Sequence, residues 1–531
     1  MPRRAARRAM VLAALAFIAC GRGRRPPPER FVPAAASGAV ILPELGRAAS
    51  GLAALHASLS AFPGAGSRSE WRRGIAAQLG FDPLDPEALA GAGLDPKGGA
   101  AVALVRGSGA RGAVGISPLV VLPAGDPSRV EKTVARLAQD RFGATERTTR
   151  SEGGVATISF RRPGSEEAAL TYAIVERSVL LAPSPEGPAV VSAAASLAPP
   201  ASLAGDAAWK RARAALGDGP AAIAWAPPGS PLFRGAVADG AALGLTPGAG
   251  RLTARAAVLL GSRAPTFRAL AAGGRAAPLA AALDPAAPLV GRWDGDFAAL
   301  GHKLVPLVPE QDRDWLAKRG VDLERDVFGV LGPGGVGALT LSPRLPANGL
   351  TSGMLRADPL RALEVEAVVP ALPGAEVAAE RIARAIAGRP PRAGANGITR
   401  VRTPSGEIAW KVEDRGARLV LAVGRPGRLD ALLARLAAGA PGWKAPTAAS
   451  AAALEGGLGG AILDVPRLVA AVRALPDEAF GGGPSAFVMR SLLERFLDPA
   501  SRLAAISLRA DLAEDALLLS LDVEAAPGET N

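Results

Sequence analysis

A single cysteine and two histidines among 531 residues leave little room for whole classes of chemistry. One cysteine closes no intrachain disulfide and builds no Cys-based zinc site. A histidine base would have to be His56 or His302. The chain also lacks a GxSxG elbow and a GxxxxGK[ST] phosphate loop, so it offers neither a nucleophile with a base nor a nucleotide cradle. Aromatic residues make up only 4% of the chain, so the cores must be built from Ala, Leu and Val. Beyond the first 20 residues no stretch of 18 uninterrupted apolar residues occurs, which excludes a second membrane segment. Charged residues at 21% exclude wholesale disorder, and the length is enough to bury more than one core.

What is present begins at the N-terminus. Arg3, Arg4, Arg7 and Arg8 precede an apolar run from Ala9 to Ala19 that stops at Cys20. A basic stretch followed by an apolar run of this length reads as an export signal, too short to span a bilayer. The segment Phe17-Ile18-Ala19-Cys20 resembles the bacterial lipobox, departing from it at Phe17, where that pattern prefers Leu. The resemblance implies that residues 1–19 are a lipoprotein signal peptide. It also implies that Cys20 is diacylated, becomes the new N-terminus after cleavage and is usually acylated again. Gly21 is not the Asp associated with inner-membrane retention, so the resemblance points to the outer membrane, with the body facing periplasm or exterior.

The formal charge of +12 is largely an N-terminal property. Four positive charges lie in residues 1–19, and Arg22, Arg24, Arg25 and Arg30 against Glu29 supply three more, leaving about +5 over residues 31–531. Such a stretch beside acyl chains suits an anionic membrane surface, where each cation contributes about 1 kcal/mol. It is not the clustered basic face that nucleic acid requires, and no nucleic-acid partner is expected.

Residues 20–36 read as the lipidated cysteine and a flexible, proline-rich tether. Beyond it, short echoes recur in the same order at offsets of 238–251 residues. Gly80-Phe81-Asp82 answers Gly320-Val321-Asp322, the VVLP ending at Pro123 answers AVVP at Pro370, and Ala222-Ile223 answers Ala461-Ile462. Such a pattern suggests a diverged duplication. The expected fold is α+β, with two related tandem modules over 37–265 and 285–527, a linker at 266–284 and a tail at 528–531. Each module is expected to be a mainly antiparallel sheet with helices packed on one face. The final hairpin is the clearest element. Ile506, Leu508, Ala510 and Leu512, then Leu517, Leu519, Leu521 and Val523, alternate with mostly polar residues, which predicts one buried and one largely wet face.

Candidate sites compete with plainer readings. Gly332 to Gly337 satisfies GxGxxG, but the following Ala338-Leu339-Thr340-Leu341 reads as strand, so a glycine-rich turn is expected rather than a dinucleotide loop. His56 and His302 occupy similar positions in the first helix of each half; metal binding or pH sensing is the sharp reading, a helix-surface or satisfied core pair the favoured one. Asp294, Asp296, Glu310, Asp312 and Asp314 lack EF-hand spacing and fit helix capping better. Ser485–Leu497, after Gly481-Gly482-Gly483, carries an apolar stripe including Phe487, Leu492 and Phe496. It reads as core packing or as a hydrophobic lid or docking helix.

Gly93-Leu94-Asp95-Pro96, preceded by Gly80-Phe81-Asp82-Pro83, resembles a turn found in a family of uncharacterised bacterial envelope proteins, where a helical segment, a GLDP turn and a sheet recur. The second half departs from it, with Leu323 in place of the proline. That family supplies no activity to carry over. The expectation is therefore a membrane-anchored envelope lipoprotein, held through acyl chains on Cys20, that is non-catalytic and binds or scaffolds another envelope component. It uses no cofactor and no metal. The alternative is a carrier of lipid or another hydrophobic ligand, with Ser485–Leu497 as a lid.

Overall fold

The computed structural model describes residues 25–526 apart from 60–67, 109–113, 153, 231–238, 249, 271–276, 344, 346–361, 395, 404, 414–416, 440–441 and 481–483. Residues 1–19, Cys20, the glycine run 481–483 and the tail 528–531 thus lie outside the described residues. The chain forms two compact units. The first includes Ser69–Arg211 and Pro220–Gly235, and the second includes the whole chain from Ala236 onward.

The first unit holds β1 (Gly38–Leu42), β2 (Ala100–Ser108), β3 (Val114–Pro123), β4 (Glu146–Glu152), β5 (Val155–Arg161), β6 (Ala168–Val175), β7 (Ser178–Ala182) and β8 (Ala222–Ala226). Every ladder is antiparallel, and the order across the sheet is β8-β1-β2-β3-β7-β6-β5-β4. The helices before residue 236 are α1 (Leu45–Leu59), α2 (Arg68–Leu79), α3 (Pro86–Gly91), α4 (Pro127–Phe142), α5 (Gly187–Ala195) and α6 (Ala207–Leu216).

The second unit holds β9 (Ala241–Gly248), β10 (Arg251–Leu259), β11 (Leu289–Trp293), β12 (Gly335–Leu341), β13 (Leu363–Pro370) and β14 (Arg392–Ala393). It continues with β15 (Ile398–Thr403), β16 (Gly406–Glu413), β17 (Arg418–Gly424), β18 (Gly459–Asp464), β19 (Leu503–Ala513) and β20 (Ala516–Ala525). The order is β9-β10-β20-β19-β18-β11-β12-β13-β17-β16-β15-β14, again antiparallel throughout. Its helices are α7 (Ala264–Leu270), α8 (Phe297–Leu304), α9 (Glu310–Ala317), α10 (Ala375–Ala387), α11 (Arg428–Ala438), α12 (Ala448–Ala451), α13 (Val465–Arg473) and α14 (Pro484–Ala500). The architecture is α+β.

Local chemistry explains the elements. α4 starts where the Asp126 carboxylate accepts from the Ser128 and Arg129 amides, with Pro127 at the first helical position, and ends at Gly143 with φ 59°. Val130, Val134 and Ala138, spaced by four, form its buried line. Removing the cap by Asp126→Ala would cost about 1 kcal/mol. The GLDP turn packs against the start of this helix, where the Asp126 amide donates to the Gly93 carbonyl. Gly93 has φ 86°, and a Cβ there would lie 2.6 Å from the Val130 backbone nitrogen, so only glycine fits. Asp95 accepts from the Lys97 amide, and Leu94 is buried.

Helices pack on both faces of each sheet, not on one face as expected. In the first unit Tyr172 shares a core with Val130 and Val134 of α4, while the neighbouring Thr171 lies against α5 at Gly187. On β17, Leu419 joins Ala383 of α10, and the adjacent Val420 joins Leu429 and Leu432 of α11. Consecutive strand residues point to opposite faces, so two helical layers are required.

Residues 25–36, expected as part of the tether, are docked. Pro28–Phe31 is a short 3-10 helix, Phe31 and Val32 are fully buried, and Arg25 pairs with Asp95 at 2.7 Å. Two apolar side chains and an ion pair outweigh the extended preference of the prolines. The segment expected as a linker contributes Ala280, Ala282 and Leu283 to the core of the second unit. The hairpin β9–β10, expected within the first module, ladders onto β20 and so belongs to the second unit.

Candidate docking surface

α14 buries one line and exposes another. Leu493, Leu497 and Ala500 pack with Val465, Val469 and Val472 of α13 and with Leu463 and Ile506 of the sheet. Ala486 packs with Leu475, Ala479 and Phe480. The stripe singled out in the sequence points elsewhere. Phe487 is 75% exposed, Phe496 50% and Leu492 46%, with Val488 and Met489 also exposed. The core-packing reading is therefore overturned for Phe487, Leu492 and Phe496, because the helix fills its core line with the adjacent positions. Fully burying a side chain of this size is worth about 1.5–3 kcal/mol, which these residues leave unused.

Ion pairs fix the flank of α14. Arg473 reaches Glu494 at 2.8 Å and Asp498 at 2.6 Å, and Arg490 pairs with Asp477 while lying 5.5 Å over the Phe480 ring. The hydrogen bond to Glu494, with the charge of Asp498 behind it, raises the Arg473 pKa. Exposed pairs contribute little stability each. They do hold the ridge in one orientation.

The second apolar surface reverses the reading of the final hairpin. Leu508, Leu519 and Leu521, with Leu243 of β9, are 37–49% exposed. The register aligns them: Leu243 opposes Ala256, Ala256 opposes Leu519, and Leu521 opposes Leu508. The polar alternates are the covered ones, with Ser507 2%, Ser520 7% and Glu524 7% exposed. Glu524 accepts a hydrogen bond from Thr447, the N-cap of α12. The same side of the sheet holds a buried ionic network. Arg428 meets Glu364, Glu366 at 3.1 Å and Asp284 at 2.8 Å, while Arg435 reaches Glu366 at 2.7 Å. Burial pushes the Glu366 carboxyl up against the pull of Arg428 and Arg435.

The remaining candidates resolve into structural roles or stay apart. Asp296 caps α8 by accepting from the Ala299 amide, and Glu310 and Asp312 lie in the first turn of α9. Asp294 is different: it is buried beside Arg292, where desolvation raises its pKa and the guanidinium opposes the shift. Gly332–Gly337 leads into β12, and a Cβ at Gly335 would strike the Trp293 ring. His302 lies exposed on α8, and His56 lies on α1. Among the described residues no group of three or more His, Cys, Asp or Glu is arranged to hold a metal. No described helix is long and apolar enough to cross a membrane.

No protein-family model and no curated protein matches the chain. Solved structures of a protein titled TP0453 are similar to it at a low level. Crystal form IV has TM-score 0.24 and 10% identity over 47% of this chain and 87% of that one. Crystal form I has TM-score 0.23 and 11% identity over 46% and 86%. Similarity at this level carries no argument about fold or function.

Proposed function

We propose that this chain is a non-catalytic binding protein of a bacterial envelope, anchored through an acylated Cys20, that receives another envelope component on α14. The supporting observation is the exposed stripe of Phe487, Val488, Met489, Leu492 and Phe496 on a helix whose flank is pinned by ion pairs. Contiguous apolar exposure of this kind marks interaction surfaces. The common order of β8-β1-β2-β3-β7-β6-β5-β4 and β18-β11-β12-β13-β17-β16-β15-β14 supports two related tandem modules from a duplication. On this reading the partner surface is a specialisation of the second copy.

A second reading, carriage of a lipid or another hydrophobic ligand, is favoured by the open leucine face of β9, β10, β20 and β19. Organic extraction of the purified chain followed by mass spectrometry separates the two. Stoichiometric lipid supports carriage; lipid-free protein that captures a membrane-fraction partner only while Phe487, Leu492 and Phe496 are intact supports docking. Anchoring is tested by metabolic labelling with palmitate, which Cys20→Ser abolishes. Equal labelling of that variant overturns it.

A further inference from the structure

The hairpin of β14 and β15 places arginines where a ladder ordinarily avoids them. Arg392 lies directly opposite Arg400, and Arg402, two residues further along β15, opposes Glu407. Period-2 geometry puts Arg392, Arg400 and Arg402 on one face of the sheet. With Arg389 they line an open cleft of about 730 Å³ walled by Pro390, Pro391 and Pro426. Like charges directly opposite each other destabilise a ladder. Elsewhere in the unit arginines are balanced: Arg425, Arg428 and Arg435 share Asp284, Glu364 and Glu366. Among the described residues the four guanidinium groups of the cleft meet only the carboxylates of Glu407 and Asp430, which leaves two positive charges uncompensated.

The four arginines are not equivalent. Arg400 is fixed, with Nη2 2.7 and 2.9 Å from the two Asp430 oxygens and Nη1 3.0 Å from Glu407. Arg389 donates to the Arg402 carbonyl. Arg402 is 77% exposed and comes only within 3.7 Å of Glu407. Arg392 is exposed and has no carboxylate partner among the described residues. Two anchored guanidinium groups thus back the loosely paired Arg402 and the exposed Arg392, and the proline wall restricts the backbone around them.

We propose that this cleft binds a phosphate-bearing anion, gripped by Arg392 and Arg402. The planar fork of each guanidinium matches two phosphate oxygens, and a dianionic phosphate matches the two uncompensated charges. The same chemistry is offered by a soluble phosphomonoester and by the phosphomonoester headgroup of phosphatidic acid. The site is separate from α14 and does not depend on the docking reading.

The test uses the full chain carrying Cys20→Ser, so that acyl chains do not drive membrane association. Titration with inorganic phosphate, followed by calorimetry and by ³¹P line broadening, is expected to saturate. Affinity is expected to fall at least tenfold in Arg392→Gln/Arg402→Gln and to stay unchanged in Arg495→Gln, an exposed arginine of α14. All variants should keep the wild-type melting temperature, since these side chains are exposed. Co-sedimentation with phosphatidic acid vesicles, but not phosphatidylcholine vesicles, that is displaced by inorganic phosphate assigns a lipid headgroup. Phosphate binding without vesicle co-sedimentation assigns a soluble phosphomonoester. No saturable phosphate binding at millimolar concentration, or equal affinity in the double variant, overturns the proposal.

Discussion

At the end formed by β9, β10, β20 and β19, the two faces of the second unit's sheet are built on opposite rules. One face carries the buried Ser507, Ser520 and Glu524 there and, further along, sets the buried Glu364 and Glu366 among the core residues Val290, Val336, Val368 and Ile462. The other carries Leu243, Leu508, Leu519 and Leu521, and these are partly open. Ordinary amphipathic sheets do the reverse. The difference shows that burial followed partner availability rather than hydropathy. On the polar face α11 supplies ion pairs and the α12 cap a hydrogen bond to Glu524, whereas α13 and α14 pack on Leu463, Leu503 and Ile506 of the apolar face. Polar groups so covered are costly to leave unpaired, and an uncovered leucine costs only the burial it forgoes.

This contrast breaks first at Arg428. Arg428→Met removes the cation of Asp284, leaves Glu364 only Arg425 and Glu366 only Arg435, and is expected to cost about 3–5 kcal/mol in urea unfolding. A loss under 1 kcal/mol would mean that Arg425 and Arg435 alone balance this face. Next is Ile462→Ala, a fully buried residue between Val290 and Ser507, with an expected loss of about 2–5 kcal/mol.

Acid sharpens the contrast, because the apolar positions of β9, β10, β19 and β20 include no titratable side chain. The clearest titration site is Asp326, where hydrogen bonds from Arg325, then from the Asp322 amide and Arg381, against the opposing effect of burial, hold the carboxyl well below its ordinary 3.8. A lowered folded-state pKa contributes stability above the unfolded value and loses it as pH falls further. Stability should therefore decline below about pH 4 in the native chain, less steeply in Asp326→Asn, and with unchanged slope in Leu519→Ser. The smallest expected effect is Leu508→Ser/Leu521→Ser. Unfolding free energy should shift by no more than about 1 kcal/mol, while binding of an apolar fluorescent dye drops. A loss as large as that of Ile462→Ala would show that this face is core after all.

The alternation in 503–525 made the final hairpin legible, and residues sharing a face were correctly grouped. Period 2 says which side chains point together but not which group finds a cover. That cover comes from α12 and its cap Thr447, which hydrogen-bonds Glu524 from 77 residues upstream, where no local pattern connects them. The glycine of the GLDP turn was readable as a helix stop, but its close approach to Val130 depends on a helix 34 residues later. Residues 25–36 misled because Arg-Pro-Pro-Pro composition suggests a tether, while Phe31 and Val32 were the signal that the segment docks. The cleft arginines went unnoticed because Arg389, Arg392, Arg400 and Arg402 converge only once β14 folds back on β15. The run Arg389-Pro390-Pro391-Arg392 was the visible hint.

β20 is paired on one side with its hairpin neighbour β19 and on the other with β10, which left the ribosome some 260 residues earlier. During synthesis, β10 must therefore wait with one edge unsatisfied until β20 arrives. A waiting apolar edge is a template for the wrong strand, including that of another nascent chain. The join between Arg251–Leu259 and Ala516–Glu524 thus sets a timing demand on biogenesis: the chain is most open to mispairing after β10 emerges, and the window closes only when its final hairpin forms.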